Sequence, residues 1–407
     1  MPAGRRWRRL AWIFMAGMVG LHLVFFINLR GRIRKGYPDF TAYYTAATIL
    51  RDGLGHQLYS ESVQYEIQEK FTGQMSSRQG PLPYIHPPFE ALIFLPLTLL
   101  PYRQAFVVWD LLNAGVLFGV ILVLRRSVST LRSVAPWELM LGCLAFFPVF
   151  ACFLQGQDSI LLLLLCALGF NALKREADVL AGCWFALGTF KFQWMFPIVL
   201  LFVIWKRRRV VLGFVAACIP LGLVSAGLVG WQALLHYPAY ALQVVKAPSL
   251  GGVPSELMPN LRGLALGWPA FFSGTSGSVA AVLGSLLLFL FAATRRGEAP
   301  QPQRLELQFS LAITVAGLIG WHTNAHDLSL LVLPLVLMTD YCWHTPAREL
   351  GSRFAPLLPV LPVLLSPLWI VLWLAIGRVN LMAIPLLWWA WEIGRDMSGT
   401  GWSRLGV

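Results

Sequence analysis

Long apolar runs separated by short polar segments occupy most of the chain. The first run extends from about Leu10 to Leu29, directly after a cluster of arginines at positions 5, 6, 8 and 9. About twenty residues are enough for a helix to cross the hydrocarbon core of a membrane. No small-residue cleavage site follows the run, so the pattern predicts an uncleaved first helix whose N-terminus lies in the cytoplasm.

The later runs and the charges between them predict a topology. The runs lie at about 87–100, 104–124, 136–154, 158–173, 178–190, 193–205, 209–229, 277–294, 305–321, 327–343, 354–376 and 379–394. The run at 87–100 is short and contains Pro88 and Pro96. If it dips into the membrane and returns, or lies at the membrane interface, the basic clusters near 125, 174, 206–209, 295 and 348 all lie in the cytoplasm, as the positive-inside rule requires. The prediction is an all-α polytopic membrane protein with about 12 transmembrane helices and both termini inside.

Two polar stretches are long enough to form structured loops on the outer face. Residues 30–86 form the predicted first extracytoplasmic loop, and residues 230–276 form the second large one. The first loop contains helix-like pieces at Phe40 to Leu50 and Glu61 to Phe71, which predict short juxtamembrane helices. No boundary interrupts the alternation of spans, so residues 1–407 are predicted to be one integral-membrane domain.

Composition supports this class of protein and excludes others. Of 407 residues, 57% are hydrophobic and 13% are charged, whereas soluble domains contain about 25% charged residues. The net charge of +13 lies in clusters beside the apolar runs, which favours a topology signal over nucleic-acid binding. The six cysteines lie in apolar stretches without metal-ligand spacing, so neither disulfides nor a zinc site is predicted.

The same topology brings the unusual polar residues to one face. Ionisable residues at membrane depth are costly and commonly functional. The predicted outer face receives the first loop, the turn Gln155-Gly156-Gln157-Asp158, Lys191, the loop 230–276 and the turn from His322 to Asp327. Their convergence from distant parts of the chain predicts a single site beside the lipid headgroups.

Three of these positions are candidates for chemistry, each with a simpler alternative. Asp39 precedes a helix-like stretch and is either a helix N-cap or a general base whose pKa is raised by partial desolvation. Lys191, between two phenylalanines, needs an anionic partner, and a phosphate suits its point charge. His326 beside Asp327 is either a base with its orienting carboxylate or part of a polar helix start, and a metal pair with His322 at i, i+4 is a third option.

Other polar residues are weaker candidates. His86 follows Tyr84 at the end of the first loop, where two prolines stiffen the backbone. Gln157 is either a hydrogen-bonding residue or part of a plain polar turn. Asn260 and Arg262 form a second group suited to a phosphate or sugar, although an exposed loop arginine is commonly a solvated charge.

Several functional classes leave no trace in the sequence. There is no Walker loop, no dinucleotide-binding GxGxxG and no HExxH, and the two halves lack matching broken helices. A transporter or flippase of an isoprenoid-linked or anionic substrate remains the alternative to an enzyme. That alternative predicts polar residues along a path through the membrane rather than at one face.

The order of several short motifs over about residues 37–340 resembles glycosyltransferase family 87, the polyprenol-phosphate-mannose-dependent mannosyltransferases of GT-C architecture. The resemblance rests on Asp39-Phe40, Tyr43-Tyr44, Ala46-Ala47, Gly53, Leu58-Tyr59, Tyr84, Pro87-Pro88-Phe89, Trp109, Gly156-Gln157-Asp158, Ala181-Gly182, Lys191, Pro197 and His326-Asp327. The chain departs from the family at Asp158, where asparagine is common, and at Arg262, where a small hydroxyl residue is common.

The resemblance implies a GT-C fold and an inverting transfer of a hexose, expected to be mannose, from a polyprenyl monophosphate. The acceptor is a hydroxyl of a glycolipid or other glycan on the outer face of the cytoplasmic (inner) membrane. Asp39 is the expected general base, as GT-C enzymes commonly place such a carboxylate in the first outer loop, and His326 is the runner-up. No cofactor or metal is expected, although a divalent ion is compatible with the sequence. The expected substrate-binding residues are Lys191, Arg262, Asn260, Tyr44, Tyr84, His86, Gln157, His322 and Asp327.

Overall fold

A computed structural model describes residues 2–33, 37–72, 82–246, 253–268, 274–295, 303–345 and 354–397. Within these ranges the chain is helical and contains no β-strand, which confirms the all-α prediction. All six cysteines are free thiols. The termini beyond these ranges and the short interruptions between them lie outside the described residues, and they include parts of both predicted outer loops.

The α-helices follow the apolar runs with few departures. Their bounds are α1 Pro2–Ile33, α2 Phe40–Arg51, α3 Glu61–Thr72, α4 Ala91–Phe94, α5 Tyr102–Ser127, α6 Pro136–Ala145, α7 Phe147–Gln155, α8 Ser159–Lys174, α9 Asp178–Leu187, α10 Phe192–Ile204, α11 Arg208–Val229, α12 Trp231–Lys246, α13 Leu261–Leu266, α14 Thr275–Thr294, α15 Gln303–Ile319, α16 Val332–His344, α17 Leu361–Leu364, α18 Ser366–Ile370 and α19 Ala383–Met397. The 3₁₀ segments are Gly55–Gln57, Pro88–Glu90, Leu95–Leu99, Thr130–Ser133, Gly188–Lys191, Ser255–Leu257, His326–Leu331, Ala355–Val360 and Val379–Met382, and Val371–Ile376 is a π-helix.

Five of the described helical segments are long and apolar enough to cross a membrane, or up to seven if each of two bent pairs counts as one span. The protein is therefore a polytopic membrane protein by length and composition, and the count of about twelve crossings stays a prediction. The segment Pro88–Leu99 is a shorter apolar helix, below the roughly twenty residues that a crossing needs. This agrees with the expectation that 87–100 does not cross.

Prolines break two runs that the sequence pattern presents as continuous. The run at 136–154 divides into α6 and α7, which meet at 78°, and the run at 354–376 contains a bend of 51°. Proline at the start of α7 and within 356–367 removes backbone donors and favours such breaks. The predicted loop 230–276 is also more helical than expected, since α12 and α13 occupy much of it.

In the predicted first outer loop, α2 and α3 match the two helix-like pieces of the sequence. Helix α2 is almost wholly buried. The ring of Phe40 packs against Phe94 and Phe106, and the ring of Tyr43 stacks on Phe94 at 4.6 Å. These aromatic contacts attach the loop to α4 and α5, so the residue that precedes α2 is held rigidly against them.

Helices α9 and α10 form a V with Lys191 at its tip. Arg207, just after α10, donates to Asp178, the first residue of α9, at 3.1 Å. A Cβ at Gly182 in α9 would lie 2.0 Å from the carbonyl oxygen of Val210 at the start of α11. The segment Asp178–Ile204 is long enough to be a single span, but these contacts return its end to the side where it began. Lys191 therefore lies at the opposite end from Asp178 and Arg207.

Candidate active site

A cavity of about 640 Å³ opens where the first outer loop, the α7–α8 turn, the tip between α9 and α10, and the turn before α16 meet. One part of its wall is polar, and the other is apolar and comes from α10, α11 and α12. The polar lining includes Asp39, His86, Gln157, Lys191, His322, Asn324, His326 and Asp327. The apolar lining includes Phe192, Phe196, Leu221, Leu234 and Leu242. The predicted convergence of these segments on one site is confirmed by this shared cavity.

Asp39 uses its carboxylate to contact the α7–α8 turn and makes no side-chain cap for α2. Its Oδ2 accepts a hydrogen bond of 2.7 Å from Gln157 Nε2. Its backbone N–H donates to Gln155 Oε1 at 3.3 Å. Of the two alternatives for Asp39, the structure therefore shows a carboxylate directed into the site rather than a cap.

Gln157 connects Asp39 to the buried cation. Its Oε1 accepts hydrogen bonds from Tyr43 Oη at 2.8 Å and from Lys191 Nζ at 3.2 Å. With two donors on the oxygen, the amide nitrogen must face Asp39. The side chain of Gln157 therefore orients the Asp39 carboxylate.

The turn that carries Gln157 is shaped by a left-handed glycine. Gly156 has φ of 59°, and a Cβ there would lie 2.7 Å from Cβ of Phe40. Glycine is the residue that adopts this conformation without strain. Helix α5 secures the turn, because Trp109 Nε1 donates to Gly156 O at 2.9 Å and Asn113 donates to Gln157 O at 3.0 Å.

Lys191 is buried, and its ammonium is already fully partnered. Its Nζ lies 2.6 Å from Asp327 Oδ1 and 3.0 Å from Asp158 Oδ1. It also donates to Ser159 Oγ at 2.9 Å, in addition to Gln157. An ammonium has three protons, so four oxygens already exceed its capacity. The anionic partners of Lys191 in this structure are carboxylates, and a phosphate must displace one of them to bind it directly.

Asp158 and Asp327 balance this buried charge. Burial opposes ionisation of Asp158, but the adjacent Lys191 ammonium holds its pKa below the usual value. Asp327 accepts a further hydrogen bond from Ser159 Oγ at 3.1 Å and one from the Asn324 backbone N–H at 2.9 Å. Unpaired charges are rarely buried, which explains why two carboxylates from distant segments meet at this lysine.

The two histidines before α16 both line the cavity. His326 Nε2 lies 3.6 Å from Asp327 Oδ1, which is too long for a hydrogen bond. Burial lowers the pKa of His326, and it lowers the pKa of His322 to about 4. Both imidazoles are therefore neutral near pH 7, and burial makes each of them a weaker base than a solvated histidine.

His86 belongs to a second cluster that the sequence did not reveal. Its Nδ1 lies 3.1 Å from Glu90 Oε2 and 4.0 Å from Asp158 Oδ2. Burial lowers the pKa of His86 to about 4. Glu90 is fully buried and was overlooked, as were Tyr43 and Ser159. Two features of the sequence could have indicated this cluster. His86 and Glu90 are four residues apart across the double proline, and Glu90 is an acidic residue within an apolar run.

Four predicted substrate-binding residues do not line the cavity. Tyr44 donates to Leu100 O at 2.8 Å, and Tyr84 donates to Glu90 Oε2 at 3.0 Å. Asn260 caps α13 by accepting from the Gly263 N–H at 2.8 Å. Arg262 stacks on Trp321 at 4.7 Å and donates to the Trp321 carbonyl. Their role in substrate binding stays a prediction, and in this structure these four side chains contact neighbouring parts of the protein.

Comparisons with known proteins agree with the geometry. The family described as Glycosyltransferase family 87 matches residues 84–334. A polyprenol-phosphate-mannose-dependent alpha-(1-2)-phosphatidylinositol pentamannoside mannosyltransferase of Mycolicibacterium smegmatis is 36% identical over 91 residues, 21% of this chain and 22% of the relative. The protein of the same description from Mycobacterium tuberculosis is 30% identical over 87 residues, 21% of this chain and 20% of the relative.

The aligned segments cover only about a fifth of the length of these curated relatives. No solved structure matches the chain. The family match covers more than half of the 407 residues and includes the α7–α8 turn, Lys191 and the turn before α16, although it begins after Asp39. On this evidence the chain belongs to glycosyltransferase family 87.

Proposed function

We propose that the protein transfers a mannosyl residue from a polyprenyl-phosphate donor to an acceptor hydroxyl, with inversion at the anomeric carbon. The observation that carries this proposal is that Asp39 and Lys191 line one cavity and are joined through Gln157. The family supports glycosyl transfer. The curated relatives, named as polyprenol-phosphate-mannose-dependent, support the donor, and their phosphatidylinositol mannoside acceptor supports a glycolipid as acceptor.

The two parts of the cavity wall suit the two parts of such a donor. A sugar phosphate is polar and anionic, and it matches the wall formed by Gln157, His322 and Asn324. An isoprenoid chain is apolar, and it matches the wall formed by α10, α11 and α12. A cavity of about 640 Å³ is within the range of small-molecule sites, so it holds the sugar phosphate and the first part of the chain.

In this mechanism Asp39 is the general base. An inverting single displacement needs one group that removes the acceptor proton as the sugar–phosphate bond breaks. Asp39 lines the cavity, and its Oδ2 is held by Gln157, which orients the carboxylate for the acceptor hydroxyl. His326, neutral and on the same cavity, is the second candidate for the base.

Lys191 acts in this mechanism mainly by holding other groups. It orients Gln157 and therefore Asp39, and it keeps Asp158 and Asp327 ionised at the cavity floor. Its charge is compensated by these carboxylates, so its contribution to phosphate binding requires rearrangement of the cluster. This replaces the simpler expectation of an open phosphate-binding lysine.

The orientation in the membrane is part of the proposal. Two ion pairs lie at the end of the helices opposite the cavity. Lys174 pairs with Glu306, and Arg207 pairs with Asp178. Cytoplasmic ends of membrane proteins are enriched in Lys and Arg. We therefore place the cavity at the extracytoplasmic face of the cytoplasmic membrane. In a cysteine-free background, a membrane-impermeant maleimide should label Glu61→Cys but not Arg126→Cys in intact spheroplasts, and the reverse result contradicts this orientation.

The activity is tested with purified protein in detergent, radiolabelled polyprenyl-phosphate mannose and a phosphatidylinositol mannoside acceptor. We expect release of polyprenyl phosphate and labelling of the glycolipid. Asp39→Asn should lower turnover by about 10²–10⁴-fold, the usual contribution of a general base, with donor binding retained. Asp52→Asn, an exposed carboxylate in the same loop, is the matched control and should retain full turnover.

Two results would redirect the proposal. If Asp39→Asn keeps near-normal turnover while His326→Ala does not, the general base is His326. If the donor crosses the bilayer of reconstituted vesicles without cleavage and no product forms, the protein is a transporter, and the transferase proposal fails.

A further inference from the structure

Next to the proposed catalytic groups lies a cluster of three ligand-type side chains that the mechanism does not use. One atom each of His86, Glu90 and Asp158 lies within 4.8 Å of the other two. The three residues come from the end of the first loop, the 3₁₀ segment Pro88–Glu90 and the α7–α8 turn. Glu90 and Asp158 are completely buried, and the side chain of His86 is 17% exposed toward the cavity.

The polar atoms that face one another in this cluster have no hydrogen-bond partner. These atoms are His86 Nδ1, Glu90 Oε1 and Asp158 Oδ2. The Nδ1 atom lies 3.1 Å from Glu90 Oε2 and still makes no hydrogen bond. Buried polar atoms are normally satisfied. Glu90 and Asp158 can satisfy each other only if one of them carries a proton, so with both carboxylates ionised the three unsatisfied atoms indicate a cation among them.

The charge balance of the site points the same way. Four carboxyl groups, those of Asp39, Glu90, Asp158 and Asp327, surround a single ammonium group, that of Lys191. Lys191 binds Asp158 through Oδ1 and leaves Oδ2 directed toward His86 and Glu90. A site with this excess of negative charge is poorly suited to an anionic donor unless a further cation is present.

We propose that His86, Glu90 and Asp158 bind a divalent cation of the Zn²⁺ or Mn²⁺ type. The distances of 3.1 and 4.0 Å between Nδ1 and the two carboxylate oxygens are shorter than about 4.2 Å, twice the usual metal–ligand distance for zinc. The third separation, between the Glu90 and Asp158 carboxylates, lies within 4.8 Å, so a small side-chain rotation is enough for one ion to contact all three side chains. Three protein ligands leave a coordination position open, and His86 places that position at the cavity wall.

Neighbouring groups already hold the ligands in place. Tyr84 Oη donates to Glu90 Oε2 at 3.0 Å, and Lys191 holds the other oxygen of Asp158. The rings of Tyr43 and Tyr84 pack against the imidazole of His86 at 5.2 and 5.7 Å. Such outer contacts orient metal ligands and contribute to affinity. Asp158 supplies the second anionic ligand.

The experiment measures Co²⁺ binding to the purified full-length protein in detergent after removal of metals with a chelator. We expect one equivalent of Co²⁺ per chain with visible d–d absorption bands, displaced by Zn²⁺. Tyr84→Phe should weaken binding by about 10–100-fold, as is usual for loss of an outer partner. Glu90→Gln, which removes a ligand, should weaken it by more than Tyr84→Phe does.

A second variant gives a signature that misfolding cannot produce. His86→Cys should retain Co²⁺ and add an intense thiolate-to-cobalt charge-transfer band in the near ultraviolet. His56→Ala and Glu66→Gln change exposed residues of the same types in the first outer loop, and both should bind Co²⁺ as the parent protein does.

The result that overturns the proposal is the absence of stoichiometric Co²⁺ binding, or binding that Glu90→Gln and His86→Cys leave unchanged. In that case Glu90 and Asp158, which lie close enough to hydrogen bond, share a proton instead. The measurement needs no donor or acceptor. A protein that transfers mannose but binds no Co²⁺ contradicts the metal site alone, whereas one that binds Co²⁺ but transfers no sugar contradicts the proposed function alone.

Discussion

Replacing Lys191 with methionine tests whether the charges beneath the cavity are ionised and coupled. Methionine keeps the length of the side chain and removes its charge. Lys191 Nζ lies 2.6 Å from Asp327 and 3.0 Å from Asp158, and the three side chains are 3%, 2% and 0% exposed. The substitution therefore leaves two buried carboxylates without their shared cation.

The expected cost follows from these contacts. Removing one partner of a buried ion pair destabilises a protein by about 3–5 kcal/mol. Two carboxylates lose their partner here. Because either of them can bind a proton and become neutral, the loss of stability stays within about this range. We expect Lys191→Met to lower the free energy of unfolding by about 3–5 kcal/mol. The assay is unfolding in detergent micelles, followed by helical ellipticity as denaturant is added.

Lys174→Met is the matched control. Lys174 pairs with Glu306 at 2.9 Å and is 22% exposed, and it also donates to Ser127 O. Its loss leaves one carboxylate, Glu306, 5% exposed and without its cation, and should cost about 1.5–3 kcal/mol, less than the loss of a cation shared by two buried carboxylates. Adding Asp158→Asn to Lys191→Met should recover part of the loss, because it removes one unpaired charge. Equal losses for the two lysine variants, or no recovery in the double variant, would refute the reasoning.

Three further predictions follow from particular contacts. Gly213→Ala should destabilise the protein by about 1–3 kcal/mol, since its Cβ would lie 1.9 Å from Val179 O. Gly227→Ala in the same helix meets nothing within 4 Å and should stabilise it by up to about 1 kcal/mol. Both are measured by the same unfolding assay. Burial lowers the pKa of His322 from 6.5 to about 4, so between these values the unfolded state binds a proton that the folded state does not. Stability should therefore fall as the pH falls from 6.5 to 4, and less steeply in His322→Gln. Gln157→Leu should reduce turnover by about 10²-fold through loss of alignment of the base, with the fold intact.

Each of these has an outcome that contradicts it. Equal stability of the two glycine variants would mean that α9 and α11 do not pack through Gly213. If His322→Gln loses stability with falling pH as steeply as the parent protein does, this imidazole is not buried as described. His56→Gln, which changes an exposed histidine, is the control for the pH dependence. Normal turnover of Gln157→Leu would show that Asp39 needs no alignment by the amide.

Local sequence patterns were sufficient for most of the secondary structure. The 3.6-residue periodicity of 40–50 and 61–71 predicted α2 and α3. The positions of the basic clusters, with the short length and two prolines of the run, favoured a segment at 87–100 that does not cross. The alternation of basic clusters with apolar runs placed Lys191 opposite Arg207, which the Asp178–Arg207 ion pair supports. These features depend on residues close together in the chain, so they are readable without a fold. The bends of 78° and 51° were not predicted, because the angle at a proline depends on what packs against it.

The partners of each polar group were decided by the tertiary structure. Lys191 was predicted to need an anion, because a buried ammonium is costly wherever it lies. That the anions are Asp158 and Asp327, the latter 136 residues away, depends on the packing of α8, α10 and the turn before α16. For the same reason the contacts that Tyr44, Asn260 and Arg262 make within the protein could not be read from the sequence, and Glu90 was missed. Residue type and periodicity determine which groups must be paired, whereas long-range packing determines which group each of them meets.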